Sequence, residues 1–204
     1  DETLVHSSFE PHERKADFQF DNIFDGTLRT VYVLKRPYAE QFLVELSNYF
    51  DIIIFTSSLQ KYADKVINKL DKYNVLKGKL FREDCILDKN GIYLKDLKKF
   101  GKDLKYVIIL DNSPPSYELN KDNGIPISGW YSDLSDNELL KIMPFLKYLS
   151  KVNDVRPIIK QVVNSLDDSL DYNLIGKLIN KRQMNVVIRK NDVLNDDNIN
   201  YGGN

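Results

Sequence analysis

Asp51-Ile52-Ile53-Ile54-Phe55-Thr56-Ser57-Ser58 places four apolar residues in a row, three of them β-branched, and then stops on hydroxyls. Such a run leaves no polar face for solvent, so it suits a central parallel strand buried on both faces. A second stretch has the same design: Val107-Ile108-Ile109-Leu110 ends abruptly on Asp111-Asn112-Ser113-Pro114. Between and around them the period changes from two to 3.6. Phe42, Leu43, Leu46, Tyr49 and Phe50 follow Pro37 at helical spacing, and Tyr62, Val66, Ile67 and Leu70 mark one face of a second helix. Strands alternating with helices imply an α/β fold built on a parallel sheet.

Working outward, residues 1–8 read as the end of a strand entering a loop, and 9–30 as a turn-rich segment with a hairpin signal at Asp25-Gly26. Val31-Tyr32-Val33-Leu34 is predicted as a strand, and 79–94 as short β segments around an Asn90-Gly91 turn. Ile125-Pro126-Ile127 fits a short edge strand, where proline is tolerated. Ser135 through Glu138 spells a capping box opening a helix through Leu140, Met143 and Leu146. We expect one domain over 1–163 and an extension over 164–204. Within the extension, Leu170, Leu174, Leu178 and Ile179 allow a short helix docked on the domain, and a disordered segment is the equal alternative. The Asn-, Asp- and Gly-rich stretch 191–204 is predicted to be disordered.

Composition narrows the function. With 204 residues, 42% of them hydrophobic, the chain can bury a full core. Twenty-nine basic residues against thirty acidic ones give a net charge of -1, which argues against direct nucleic-acid binding. The single cysteine, Cys85, excludes an internal disulfide framework and reads as a small buried apolar residue. One Cys and two His make a structural zinc site unexpected. No apolar stretch approaches the roughly 18 residues that mark a membrane-spanning helix.

Ligand-binding groups in parallel α/β sheets collect at the carboxyl ends of the strands. There the sequence puts Thr56 and Ser57 after the first apolar run and Asp111 and Asn112 after the second. Lys95 lies between the two, and Asp1-Glu2-Thr3 stands at the start. An acid, a hydroxyl, a cation and an acid–amide pair are what phosphoryl transfer through an aspartyl-phosphate requires. A carboxylate attacks phosphorus and a second one protonates the departing alkoxide. A hydroxyl and a lysine hold the phosphoryl oxygens, and Mg²⁺ on oxygen ligands offsets the charge. Each residue also has a plainer reading. Lys95 alone would be a surface lysine, Thr56 could cap the following helix, and Asp111-Asn112-Ser113-Pro114 could be a simple turn.

Ordered motifs then lift the set above those readings. Asp1-Glu2-Thr3-Leu4-Val5-His6-Ser7-Ser8-Phe9 resembles the first motif of the small C-terminal-domain phosphatases, from its second aspartate onward. The likeness continues through Val31–Pro37, Leu59–Asp64, Leu80-Phe81-Arg82-Glu83, Lys95-Asp96-Leu97 and Leu110–Pro114, covering residues 1–163 in the family's order. The resemblance implies a haloacid-dehalogenase-like Rossmannoid parallel sheet with helices on both faces and a small inserted β segment. It implies that Asp1 is the general acid and then base, with its backbone carbonyl on the metal. Thr56 would bind phosphoryl oxygens, Lys95 would neutralise phosphate and nucleophile, and Asp111 and Asn112 would complete a Mg²⁺ site. Arg82 would sit near the substrate, while Phe9, Leu59 and Tyr62 would form an apolar pocket for a proline-containing phosphopeptide.

The nucleophile of that family sits two residues before Asp1, outside this sequence, as does the apolar strand expected in the middle of the sheet. The chain as written is therefore expected to be an inactive piece of a serine/threonine phosphatase. The resemblance implies a phosphoserine- or phosphothreonine-proline peptide as substrate, the tail of RNA polymerase II in the first instance, with nuclear localisation and a monomeric state. Two alternatives belong to the same superfamily. One is the membrane-anchored Dullard-like phosphatase of the nuclear envelope; the other is a non-catalytic phosphatase-like module such as that of the mitochondrial import receptor.

Overall fold

The computed structural model describes residues 1–164 and 169–185; the disorder expected for 191–204 lies outside them. Residues Asp1–Asp171 form one compact unit and the chain from Tyr172 a second. The first unit opens with an antiparallel sheet of β1 (Val5–Ser8), β2 (Phe18–Phe24) and β3 (Thr27–Lys35) in the order β1-β3-β2. Asp25 and Gly26 both take left-handed backbone, at φ 50° and 78°, as a tight hairpin between right-twisted strands demands. The strand β2 went unrecognised in the turn-rich reading, although Phe18, Phe20 and Phe24 alternate with exposed Gln19, Asp21 and Ile23. The start of the chain also differs from expectation: Val5–Ser8 is itself a strand, pairing Val5 with Lys35.

Next come α1 (Ala39–Leu46), β4 (Ile52–Phe55), α2 (Gln60–Leu70) and β5 (Leu76–Leu80), with β5 parallel to β4. The small inserted hairpin follows as β6 (Ile86–Leu87) and β7 (Tyr93–Leu94), its turn made by Gly91 at φ 80°. A second parallel pair joins β8 (Ile109–Asp111) to β9 (Gly124–Pro126). The unit ends with α3 (Glu138–Leu149) and α4 (Arg156–Val162). In the second unit α5 (Tyr172–Asn185) carries Leu174, Leu178 and Ile179, whereas Leu170 lies before it in a bridge to Val163.

Parallel strands with alternating helices bear out the α/β fold, but the sheet comes in two pieces. Among the described residues β4 pairs with β5 and β8 with β9, and neither pair reaches the other. A cavity of about 1030 Å³ lies between them, lined by Ile52–Phe55 on one side and Val107–Asp111 on the other. The core divides the same way. Ala63, Ile67 and Phe81 cluster with Ile54 and Leu76, while Leu97, Ile109 and Tyr117 cluster with Phe100, Leu104 and Val107. The expectation that Ile52–Phe55 is buried on both faces therefore fails in part, and Ile53 remains 37% exposed.

Other local expectations need correction. The capping box at Ser135–Glu138 does not form: Asn137 caps α3 without a side-chain bond, and Asp136 Oδ1 accepts the Glu138 N–H at 3.3 Å. Asp136 is held there because it answers Arg36. Helix α1 stops at Leu46, which leaves Tyr49 on the surface. Cys85 is half-buried rather than buried, with its thiol 3.6 Å from the Phe81 carbonyl.

Arg36 holds these pieces in register. It is 1% exposed, and its guanidinium donates to both Asp136 carboxylate oxygens at 2.8 Å. It also donates to the Thr3 carbonyl at 3.2 Å and the Ser128 carbonyl at 3.0 Å. One side chain thus ties together the first loop, the segment after β9 and the entrance to α3. Replacing Arg36 with Ala leaves Asp136 uncompensated and is expected to cost about 3–5 kcal/mol in urea unfolding. Gly124 is set by contact: a Cβ there would lie 2.4 Å from the Tyr117 ring. Gly124→Ala is expected to cost roughly 1–3 kcal/mol in the same assay.

Candidate active site

Both parallel pairs point their carboxyl ends at one end of the cavity, and Asp1, Thr56, Lys95, Asp111 and Asn112 all line it. Lys95, just after β7, is 6% exposed, and its ammonium donates to Asp111 Oδ2 at 2.5 Å. Asp111, the last residue of β8, is 8% exposed; its other oxygen accepts the Ser113 N–H at 2.8 Å. Two charges so far from water persist because each neutralises the other and takes further contacts, including the Phe55 ring 5.9 Å from the Lys95 ammonium. Buried Asn123 braces the approach to β8, its carboxamide donating to the Leu104 carbonyl at 2.6 Å and the Val107 carbonyl at 2.7 Å.

Asn112 Oδ1 accepts the Thr3 hydroxyl at 2.9 Å, joining the first motif to the loop after β8. Glu2 takes left-handed backbone at φ 54°, which lets the Asp1 carbonyl accept the Thr3 N–H at 2.7 Å. The Asp1 carboxylate is clasped by two hydroxyls: Ser58 at 2.7 Å and Tyr62 at 3.0 Å. Tyr62 also contacts the Ser7 hydroxyl at 2.6 Å, and burial pushes its phenol pKa up. Thr56 borders the cavity, but its hydroxyl accepts the Ser58 N–H at 3.1 Å and does not cap α2, whose first turn follows Leu59 without a side-chain cap. Sequence reasoning gave no part to Thr3, Ser58 or Arg36; each works through a partner at least thirty positions away.

Tyr62 also lines the cavity, whereas Arg82, Phe9 and Leu59 lie outside its lining. The Arg82 guanidinium donates to the Ser57 carbonyl at 2.7 Å and lies 5.0 Å over the Tyr93 ring. Phe9 is 47% exposed and meets Phe24 edge-to-face at 5.0 Å; Phe24 in turn lies 6.2 Å from the Tyr62 ring. Leu59 is exposed one helical turn before Tyr62. Phe9 and Tyr62 therefore join one aromatic surface through Phe24, a residue the sequence reading passed over.

Residues 1–156 match the family described as NLI interacting factor-like phosphatase. The chain belongs to that family. It is 47% identical over 161 residues to the human "Carboxy-terminal domain RNA polymerase II polypeptide A small phosphatase 1", covering 79% of this chain and 61% of that protein. It is 46% identical over 159 residues to the Drosophila melanogaster "Phosphatase Herzog", covering 78% of this chain and 45% of that one. The chain thus spans about three-fifths or less of these relatives. Among solved structures it resembles fission yeast Fcp1, an RNA polymerase II CTD phosphatase bound to beryllium fluoride. The TM-score is 0.53 at 17% identity, over 92% of this chain and 63% of that one, a likeness of fold. Among the described residues no helix is long and apolar enough to cross a membrane.

Proposed function

We propose that this domain is the phosphate-handling body of a Mg²⁺-dependent phosphoserine/phosphothreonine protein phosphatase. In the complete protein an aspartate two residues ahead of Asp1 would supply the nucleophile. The observation that carries the reading is the buried Lys95–Asp111 pair beside Asn112, Thr56 and Asp1, at the carboxyl ends of two parallel strands. The names of the relatives point to a phosphorylated RNA polymerase II tail, hence to a nuclear enzyme, and favour this reading over a nuclear-envelope phosphatase or a non-catalytic module.

The Asp111 carboxylate, the Asn112 carboxamide oxygen and the Asp1 backbone carbonyl would hold Mg²⁺. The donors are all hard oxygens, and among the described residues no cluster of three His, Cys, Asp or Glu competes for a softer metal. When bound, the ion supplies positive charge for the phosphoryl oxygens. Lys95 supplies a second charge, and its burial keeps that charge undiluted by water. Thr56 offers its hydroxyl to a phosphoryl oxygen.

The nucleophilic carboxylate forms an oxygen–phosphorus bond as the seryl oxygen–phosphorus bond breaks, and the Asp1 carboxyl passes its proton to the departing alkoxide. Asp1 then takes a proton from the water that attacks the aspartyl-phosphate, releasing phosphate and restoring both carboxyl groups. Ser58 and Tyr62 hold the Asp1 carboxyl in place for both transfers. The Phe9–Phe24–Tyr62 surface with Leu59 would receive the proline of an extended substrate, and Arg82 would flank it. The protein is proposed to act as a monomer.

The chain extended ahead of Asp1 by an apolar strand ending in Asp-Leu is expected to hydrolyse a phosphoserine-proline peptide only with Mg²⁺ present. Lys95→Ala should lower kcat by roughly 10²–10³-fold, the usual loss when a charge-stabilising group is removed. Equal rates for the two proteins would take Lys95 out of the mechanism, and hydrolysis unaffected by EDTA would exclude the metal.

A further inference from the structure

Gly129 follows β9 in a loop that is fixed on either side of it. The Ser128 carbonyl accepts from Arg36, the Trp130 N–H donates to the Glu2 carbonyl at 2.7 Å, and the buried Trp130 indole donates to the Asp133 carbonyl at 2.7 Å. Neither conformation nor crowding demands glycine there. Its backbone is not left-handed, unlike that of Gly26, Gly91 and Gly101, and a Cβ would meet only ordinary contacts. That Cβ would lie 3.5 Å from Asn112 Nδ2 and 3.7 Å from the Tyr131 hydroxyl, filling the space between them.

Both groups bordering this niche are unanswered donors. The Thr3 hydroxyl occupies Asn112 Oδ1, and among the described residues neither Asn112 Nδ2 nor the Tyr131 hydroxyl has a hydrogen-bond partner. Tyr131 is 60% exposed, yet its ring is steadied edge-to-face against His6 at 5.1 Å. The niche therefore stands at the open rim beside Asn112, and neither Gly129 nor Tyr131 borders the cavity between β4 and β8. Two donors facing a space with no side chain call for an oxygen acceptor brought by a ligand.

We propose that the niche formed by Gly129, Tyr131 and Asn112 is a substrate subsite that takes a main-chain carbonyl beside the phosphoserine. The inference rests on the phosphatase reading and adds to it a place for the peptide backbone. In that reading Lys95, Thr56 and the metal already answer the phosphoryl oxygens. Asn112 turns its oxygen to Thr3 and its N–H groups to the niche. What an extended phosphopeptide carries next to its phosphate, whatever its sequence, is a carbonyl. Glycine lets that backbone come close, and a slight turn of the exposed phenol brings its hydroxyl to hydrogen-bonding length.

The test uses the complete protein with Mg²⁺ and two substrates, a phosphoserine-proline peptide and p-nitrophenyl phosphate, which has no peptide carbonyl. Tyr131→Phe keeps the ring on His6 and removes the donor, while Gly129→Ala fills the niche through ordinary contacts. Each should raise KM for the peptide roughly 3–10-fold, as loss of one hydrogen bond does. The peptide kcat, and both constants for p-nitrophenyl phosphate, should stay within about twofold. The double variant should do no worse than Gly129→Ala alone, since a filled niche leaves the hydroxyl nothing to hold. Unchanged peptide KM in both single variants, or multiplied losses in the double one, would overturn the proposal. An equal KM rise for p-nitrophenyl phosphate would assign the oxygen to the phosphoryl group and overturn the carbonyl. Wild-type protein inactive on both substrates would instead overturn the phosphatase reading on which the subsite rests.

Discussion

A guanidinium with almost no water contact must have its donors answered by protein, and Arg36 meets that requirement by drawing three distant segments onto itself. The Asp136 carboxylate takes two of its N–H groups, and the carbonyls of Thr3 and Ser128 take others. The first loop is held a second time, because the Trp130 N–H donates to the Glu2 carbonyl at 2.7 Å. From that anchored loop the Thr3 hydroxyl reaches Asn112. The first motif thus stands beside the end of β8 although 109 positions separate the two residues. Arg36 is thus one of several contacts that fix the loop carrying Asp1 against the residues it is proposed to work with.

The same geometry explains the distribution of charge in the site. Lys95 and Asp111 each lose hydration on folding, a cost offset only by a short, well-aligned contact between them. Asp1 is held differently, by neutral hydroxyls at the more exposed rim. One carboxylate is paired with a cation and the other with neutral hydroxyls, a division that the proposed acid–base chemistry on a phosphate ester would use. Both ends of the chain's polar apparatus rest on strands whose apolar edges flank a single cavity, so the core and the site are linked through β4 and β8.

Much of the fold could be read from local pattern. The apolar runs at Ile52–Phe55 and Val107–Leu110 (the second forming strand only from Ile109), the helical spacing of Tyr62, Val66, Ile67 and Leu70, and the Asp25-Gly26 turn encode their structure within a few residues. Where local pattern failed, a competing hydrogen bond had intervened. The Ser135 hydroxyl donates to Asp133 Oδ1 and so does not open the capping box, and Thr56 accepts the Ser58 amide instead of capping the helix. The strand β2 was hidden because its alternation mixes aromatics with polar residues that read as turn. Phe24, which links Phe9 to Tyr62, was hidden with it.

By itself, then, the sequence determined the α/β class and the identities of Thr56, Lys95, Asp111 and Asn112 as the polar residues near strand ends. Those depend on hydrophobic period and on where an apolar run stops, both of which are local properties. The tertiary structure alone decided that Lys95 and Asp111 pair in a buried contact and that Thr3 holds Asn112. It also decided that β4 and β8 face one cavity as separate edges. The reason is desolvation: whether a charge or a backbone edge is left without water depends on what the rest of the chain packs around it, and no local pattern records that.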